Sequence, residues 1–173
     1  MAVASPAICR LLDSDPRVVL RVVGFLDPDQ ELSRYQDRIE YYPLQDFLNL
    51  QRLIPEVEIN IAPLQENTFT NCKSELKFFE AAICGTLTLA TPTFTFRNSI
   101  SHGETGLLVP SHGWDHALQT AVAIVENRER YAGMAEAASR QALSAYGWNC
   151  HASTIARAVF GLETALPSAV ALA

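Results

Sequence analysis

Short apolar segments that alternate with helical segments constrain the fold of this chain more than any other feature of its sequence. Five such runs are present, at residues 17–25, 38–43, 57–62, 86–92 and 105–110. Their β-branched composition and length are typical of buried strands. Because a helical pattern separates each pair, we expect a parallel sheet with helices on both faces, joined by right-handed crossovers. The sequence therefore predicts an α/β chain with a doubly wound parallel sheet.

Apolar residues at helical spacing predict the helices of this chain. They span residues 4–14, 44–55, 71–85, 114–148 (with a break near 127–130) and 150–166. The first element is thus a helix, whereas doubly wound domains usually open on a strand whose following loop holds a phosphate. We therefore expect a fragment of a longer protein, with one domain at residues 1–165 and a flexible tail at 166–173.

Composition narrows the classes of function. The formal net charge is −6, with 19 acidic and 13 basic residues, so we expect no nucleic-acid partner, which would need a basic face. No apolar run approaches the ~18 residues of a membrane span, and the first residues lack a signal-peptide pattern. The four cysteines (Cys9, Cys72, Cys84 and Cys150) show no C-x-x-C spacing, which favours reduced thiols. We expect a cytoplasmic protein, which a longer form could bring to the inner membrane surface.

Two lysines lie where a helix dipole disfavours cations. The segment NCKSELKFFEAAICG, residues 71–85, follows the third predicted strand and carries Lys73 and Lys77 in its first turns. Ligands of doubly wound sheets bind at the carboxyl ends of strands, where free helix N–H groups attract anions. At 100° per residue, Lys73, Lys77 and Glu80 share one face within about 60°. The pattern favours a diphosphate at the helix start, with Glu80 accepting hydrogen bonds from ligand hydroxyls.

A plainer interpretation of the same lysines is equally open from the pattern. Charged helix faces are common, and Lys77 with Glu80 has the i,i+3 spacing of a solvated ion pair. In that case the lysines would bind no ligand.

Several motifs in order resemble one known family. The stretch SELKFFEAAICGTLTLATPTFTFRNSISHGETGLLVP, from Ser74 to Pro110, resembles the donor-binding half of GT-B glycosyltransferases, in the retaining group called family 4 or glycosyl transferases group 1. Glu80-Ala81-Ala82, Gly85, Pro92 and HGETGLLVP match in sequence order, and the similarity extends over roughly residues 17–148. The resemblance implies a Rossmann-like, C-terminal domain of a two-domain enzyme that binds a nucleoside diphosphate sugar.

The resemblance also implies roles for individual residues. Glu80 matches the glutamate that holds the nucleotide ribose, and Asn71, Cys72, Lys73 and Ser74 match the helix start that meets the diphosphate. Further donor contacts are implied at Lys77, at Tyr42 and Pro43 near the base, and at Thr93 and Phe94 near the phosphates, in the loop 93–96. No cofactor or metal is implied, because the nucleotide sugar is the substrate.

This sequence departs from the family pattern at two places. The family's first glutamate, which contacts the transferred sugar, falls on Cys72, and a thiol cannot replace a carboxylate. Glu75 and Glu66 are the nearby carboxylates that could compensate, so Lys73 and Glu75 are the candidate catalytic residues. The family's first strand, with its glycine loop and basic pair, and its N-terminal acceptor-binding domain do not lie within these residues. We therefore expect the chain alone to be inactive.

Other motifs favour structural roles over chemistry. Asp13 with Asp15, and Asp27 with Asp29, spell D-x-D, but a proline turn with a capping aspartate explains them better than a metal site. His112 and His116 lie four residues apart beside Asp115, without an evident third zinc ligand. We expect no metal centre.

Three functions remain open at this point. The first is donor binding in a metal-independent, retaining glycosyltransferase that transfers a hexose to a saccharide or other acceptor. The second is a non-catalytic binding or assembly module of the same fold, which would associate through an exposed sheet edge or the helix at 114–148. The third is another GT-B-like sugar-nucleotide enzyme, such as an epimerase.

Overall fold

The computed structural model describes residues 3–26 and 32–161. Its strands are β1 Leu20–Val23, β2 Ile39–Tyr42, β3 Ile59–Ala62, β4 Leu87–Ala90 and β5 Leu107–Leu108. Its helices are α1 Ser5–Ser14, α2 Phe47–Leu53, α3 Thr68–Asn71, α4 Leu76–Ile83, α5 Phe94–Ser99, α6 Trp114–Glu126, α7 Arg128–Tyr146 and α8 Trp148–Phe160. Every strand pair is parallel, so the predicted α/β class is confirmed.

Two helical layers cover opposite faces of β4. Leu87 and Leu89 belong to a core cluster that includes residues of α1 and α6. Ala90 joins a second cluster with residues of α4, α5 and α7, such as Phe78. Successive side chains of a strand point to opposite faces, so this division places helices on both sides of the sheet. It is the arrangement expected of a doubly wound domain.

The strands form two hydrogen-bonded groups, where the sequence predicts a single sheet. β1 pairs with β2, and the other group has the order β3-β4-β5. No ladder joins β1 to β3 among the residues that the structure describes. Most residues of β1 and β3 are half-buried, whereas all four residues of β4 are buried. β1 and β3 each have one strand partner, so each retains an edge with no described partner.

The predicted helix over residues 71–85 is wrong at its start. The Asn67 side chain and Thr70 form a capping box that begins α3, and α3 ends at Asn71. The Lys73 carbonyl accepts a hydrogen bond from the Thr95 hydroxyl at 2.8 Å, and no described backbone N–H donates to it. A new helix, α4, therefore begins at Leu76. It ends as predicted before Gly85, whose φ of +78° suits glycine at this position.

The other helix boundaries differ less from those predicted from the sequence. The predicted break between α6 and α7 is confirmed at Asn127, whose side chain accepts from the Arg130 N–H at 3.1 Å. The sequence interpretation missed α5, because Thr93 and Phe94 follow a proline in a stretch without helical periodicity. The predicted tail at 166–173 lies outside the described residues, as do Asp27 and Asp29. Among the described helices, none combines the length and apolar character needed to cross a bilayer.

Candidate functional site

Two helices begin beyond the carboxyl ends of neighbouring strands and define the candidate site. α4 follows β3 with the single-turn helix α3 between them, and α5 follows β4, the strand hydrogen-bonded to β3. Residues 71–75 lead from the end of α3 into α4, and we call this segment the rim loop. The Phe94 N–H at the start of α5 donates to the Asn71 side-chain oxygen at 2.9 Å. This contact joins the two strand-end connections, so the rim loop and the start of α5 form one surface.

Both lysines of the chain lie at this surface. Lys73 is in the rim loop and Lys77 is in the first turn of α4, and both side chains are exposed. Neither forms an ion pair with a carboxylate that the structure describes. The Lys73 Nζ atom instead lies 4.9 Å from the centroid of the Phe69 ring. The sequence offered an ion pair between Lys77 and Glu80 as an alternative, and this pair is not formed.

The start of α4 leaves backbone donors without acceptors. Glu75 occupies the cap position, but its side chain makes no capping hydrogen bond. The Leu76 and Lys77 N–H groups have no hydrogen-bond acceptor among the described residues. These amides add the partial positive charge of a helix terminus to that of the lysines. The combination suits an anion.

Asn71, Cys72 and Ser74 complete the exposed surface of the rim loop. Asn71 already uses its side-chain oxygen to hold Phe94. The Cys72 thiol is free and exposed. The predicted group of Asn71 to Ser74 with Lys77 is thus brought together by the backbone, although it does not form the start of one continuous helix.

Glu80 lies on α4, one turn beyond Lys77, and is half-buried. Burial raises the pKa of its carboxyl above the ordinary value, and the Lys77 charge acts against that rise. The carboxyl makes no ion pair with a described residue. A half-buried carboxylate without a strong partner can accept hydrogen bonds from ligand hydroxyls, which is the role predicted for it.

The two carboxylates considered as replacements for the lost family glutamate are both engaged. The Tyr146 hydroxyl donates to Glu75 Oε1 at 2.9 Å. The Arg97 guanidinium lies 3.2 Å from Glu66 Oε1. Both partners come from helices outside the rim loop, so the structure gives Glu75 and Glu66 structural contacts of their own.

The residues predicted near the phosphates stand at the start of α5. Phe94 is exposed and linked to Asn71, while Thr93 is fully buried. The Thr93 hydroxyl has no hydrogen-bond partner among the described residues. A buried hydroxyl without a partner costs free energy, about 1–3 kcal/mol.

Tyr42 and Pro43, predicted near the base, lie at the carboxyl end of β2. Tyr42 stacks under the Arg21 guanidinium at 5.0 Å, and its carbonyl accepts from the Gly24 N–H. No contact recorded in the described part of the chain joins either residue to the rim loop. They belong to the β1-β2 group of strands, whereas the lysines follow β3 of the other group.

The aspartates of the other polar motifs have structural partners where the structure describes them. Asp115 accepts two hydrogen bonds of 2.6 Å from the Arg10 guanidinium. Asp13 accepts from the Tyr35 hydroxyl, and Asp15 pairs with Arg17. Over residues 3–26 and 32–161, no group of three or more histidine, cysteine or acidic side chains is arranged to hold a metal.

Two pockets of about 210 Å³ each are lined by residues outside the rim loop. One lies between α1 and α6, beside Arg10 and Leu118. Another is lined by His102, Pro110 and His116, near the start of α6. Neither contains a rim-loop residue. Because residues 71–74 and Lys77 are exposed, the candidate site is an open surface of cations and amides, which would need a facing surface to enclose a ligand.

Residues that the sequence interpretation missed complete the site. The Phe69 ring lies against the Lys73 ammonium group, and the Thr95 hydroxyl donates to the Lys73 carbonyl. The Tyr146 hydroxyl donates to the Glu75 carboxylate. Tyr146 comes from the end of α7, 71 residues beyond Glu75. No local pattern marks such a contact. Phe69 lies in α3 and Thr95 lies in α5, two short helices that the sequence interpretation did not predict.

Comparisons with known proteins agree with this arrangement. The sequence profile of the family described as glycosyl transferases group 1 matches residues 2–127. No curated protein sequence matches significantly. Among solved structures, Anabaena HepE in complex with UDP and glucose is similar, with a TM-score of 0.77 and 16% identity over 94% of this chain and 45% of HepE.

Two further structures show the same fold. Sucrose-phosphate synthase from Thermosynechococcus elongatus has a TM-score of 0.70 and 19% identity, over 91% of this chain and 42% of the synthase. The C-terminal domain of the group 1 family protein LpcC from Francisella tularensis has a TM-score of 0.68 and 15% identity, over 83% of this chain and 77% of that domain.

The chain spans less than half of HepE and of the synthase, but most of the isolated LpcC domain. This coverage agrees with the size of one domain of a GT-B glycosyltransferase, as the sequence motifs imply. Because the family profile matches most of its residues, the chain belongs to the glycosyl transferases group 1 family.

Proposed function

We propose that this chain binds a nucleoside diphosphate sugar through its rim loop and the first turn of α4. The observation that carries the proposal is the placement of both lysines of the chain, exposed and without a described carboxylate partner, beside the free amides of Leu76 and Lys77. A diphosphate would satisfy these donors and offset the charge repulsion. HepE, which is similar in fold, is crystallised with UDP and with UDP-glucose.

The proposed reaction is transfer of a hexose from this donor to a saccharide or other acceptor, with retention and without an essential metal. Charge develops on the diphosphate as it leaves the sugar, so donors placed there stabilise the transition state. Lys73 would carry this role, with Lys77 and the amides of α4 beside it. Glu80 would accept hydrogen bonds from the ribose hydroxyls.

The open surface of the site supports a division of labour between two domains. An acceptor-binding domain facing the rim would enclose the donor and exclude water, as group transfer requires. We therefore propose that the isolated chain binds the donor weakly and transfers nothing. Cys72 offers no carboxylate to the sugar, and Glu75 is engaged by Tyr146, so the sugar contact would come mainly from the facing domain.

Titration of the chain with UDP tests donor binding directly. Amide chemical shifts should change at residues 71–80 and 93–95, and the double variant K73A/K77A should bind at least about tenfold more weakly, since hydrogen bonds to charged groups contribute about 1.5–3 kcal/mol each. Arg128→Ala is the matched control, because it removes an exposed cation at the start of α7. Unchanged amide chemical shifts throughout residues 71–80 and 93–95 would contradict the proposal.

A second candidate function has its own observation. β1 and β3, each of which has an edge without a partner among the described residues, are mostly half-buried and contribute to one shared core cluster, which suits the docking of a strand from another chain. A non-catalytic assembly module would use these edges and leave the rim empty. Absence of UDP binding together with concentration-dependent self-association would favour this candidate.

A further inference from the structure

A circuit of polar contacts joins the rim loop to α5 and α7, in which the Tyr146 hydroxyl donates its single proton to Glu75. The Tyr146 hydroxyl contacts Glu75 Oε1 and Ser99 Oγ, each at 2.9 Å. Ser99 Oγ also lies 2.8 Å from the Thr95 carbonyl. The Thr95 hydroxyl then donates to the Lys73 carbonyl at 2.8 Å, which returns the circuit to the loop. The loop is thus held on both sides of Ser74.

Tyr146 is fixed in this circuit by its ring. The ring stacks on Phe79 of α4, with 4.5 Å between centroids and 27° between planes. Burial raises the pKa of the Tyr146 phenol; the contact with Ser99 opposes that rise, and the hydrogen bond to Glu75 adds to it. The phenol therefore stays protonated at neutral pH and can donate to the carboxylate.

Helix α7 holds α5 by a second contact. Gln141, five residues before Tyr146, donates from its side-chain nitrogen to the Ser99 carbonyl at 2.7 Å. The rim loop itself is exposed apart from Glu75, so its packing contributes little order. Its conformation depends mainly on these polar contacts with α5 and α7.

We propose that Tyr146 is a positioning residue that orders the rim loop and thereby sets the affinity of the lysines for the diphosphate. The inference deepens the proposed function and rests on it. An exposed loop that is already ordered loses less conformational entropy when a ligand binds, so its affinity is higher. Tyr146 contributes without touching the ligand, since it contacts the side of the loop that carries Glu75.

The variant Tyr146→Phe keeps the ring that stacks on Phe79 and removes the hydroxyl that holds Glu75. Backbone order parameters from NMR relaxation should fall at residues 73–75, from about 0.85 toward 0.6. The dissociation constant for UDP should rise about three- to tenfold, as expected for one lost hydrogen bond. Ser99→Ala should act in the same direction because it opens the same circuit.

The matched control is Tyr131→Phe on the same helix. The Tyr131 hydroxyl contacts the carbonyls of Glu58 and Gly85, which are remote from the rim loop. Its removal should lower the thermal midpoint while rim-loop order and UDP affinity stay at wild-type values. A purely structural role for Tyr146 would give the same pattern as this control.

Two results would overturn the inference. Unchanged order parameters at residues 73–75 in Tyr146→Phe would show that the circuit does not order the loop. Lower order with an unchanged UDP dissociation constant would show that loop order does not set affinity. If the wild-type chain binds no UDP, the proposed function fails, and the order parameters still report separately whether Tyr146 holds the loop.

Discussion

The ammonium group of Lys73 lies 4.9 Å from the centre of the Phe69 ring, and that ring is 72% exposed. An aromatic face attracts a cation through its quadrupole but does not neutralise it as a carboxylate would. The lysine is therefore oriented and remains available to an anion. This relationship between α3 and the rim loop gives Phe69 a role that its exposed position would not suggest.

Phe69→Ala should weaken UDP binding about two- to fivefold, because an exposed cation–π contact contributes about 0.5–1 kcal/mol. Isothermal titration calorimetry measures the change. Phe160→Ala is the control, since Phe160 has the same exposure but lies at the end of α8. Equal effects of the two substitutions, or none from either, would contradict an orienting role for Phe69.

Cys72 offers a chemical test of the site's position. Its thiol is exposed in the rim loop, next to Lys73, whereas Cys9 is buried. Saturating UDP should slow alkylation of Cys72 by at least about fivefold, because a bound ligand covers the thiol and competes with the reagent. Mass spectrometry of the labelled peptides gives both rates.

Cys150 provides an internal control in the same experiment. It is also exposed, but it lies on α8. Its alkylation rate should not change when UDP is added. Equal protection of both thiols would indicate a general change in the chain, and protection of neither would place the nucleotide elsewhere.

The order of the strands and helices could be predicted from the sequence because each element carries its own local signal. β4, LTLA, is buried over its whole length and lies at the centre of its sheet, so its apolar pattern is unambiguous. Asn127 could be identified as the break between α6 and α7 because it caps the second helix with its own side chain. These features depend on neighbours close in sequence.

The start of α4 could not be predicted in the same way. Residues 71–75 have no strong helix breaker, and their local pattern continues the helix. The bonds that interrupt it come from Thr95 and Tyr146, which are distant in sequence. The candidate lysines could therefore be identified from sequence, whereas the contacts that hold them could be identified only from the fold.

Gly106 should be intolerant of a side chain. A Cβ atom there would lie 2.7 Å from the Thr88 carbonyl oxygen and 3.1 Å from the Ile100 side chain. Since the closer neighbour is backbone of the central strand β4, Gly106→Ala should lower the free energy of unfolding by about 1–3 kcal/mol, as for other overpacked sites. Urea denaturation monitored by circular dichroism measures this change.

Gly133→Ala gives the opposite expectation with the same chemical change. Gly133 lies within α7, and a Cβ atom there would meet nothing within 4 Å. Alanine should raise the free energy of unfolding by about 0.5–1 kcal/mol through its higher helix propensity. If Gly106→Ala were as well tolerated as Gly133→Ala, the close packing of residue 106 on β4 would be wrong.

The variant Glu80→Gln should have opposite effects on the stability of the fold and on UDP binding at pH 7. Folding raises the pKa of the Glu80 carboxyl above its unfolded value of 4.5, so the folded state favours the protonated form. The stabilisation that this preference gives is fully present below pH 4.5 and is lost as pH rises through the folded pKa. At pH 7 the charged carboxyl therefore opposes folding. Glutamine removes that charge, so the variant should have a higher thermal midpoint than wild type at pH 7.

The difference in midpoint should disappear below about pH 4, where the wild-type carboxyl is protonated in both states. At pH 7 the same variant should bind UDP about tenfold more weakly, because a neutral amide replaces a charged acceptor for the ribose hydroxyls. Glu104→Gln, in an exposed loop, should change neither quantity. A Glu80→Gln chain that is more stable at pH 7 and still binds UDP as wild type does would exclude Glu80 from the nucleotide site.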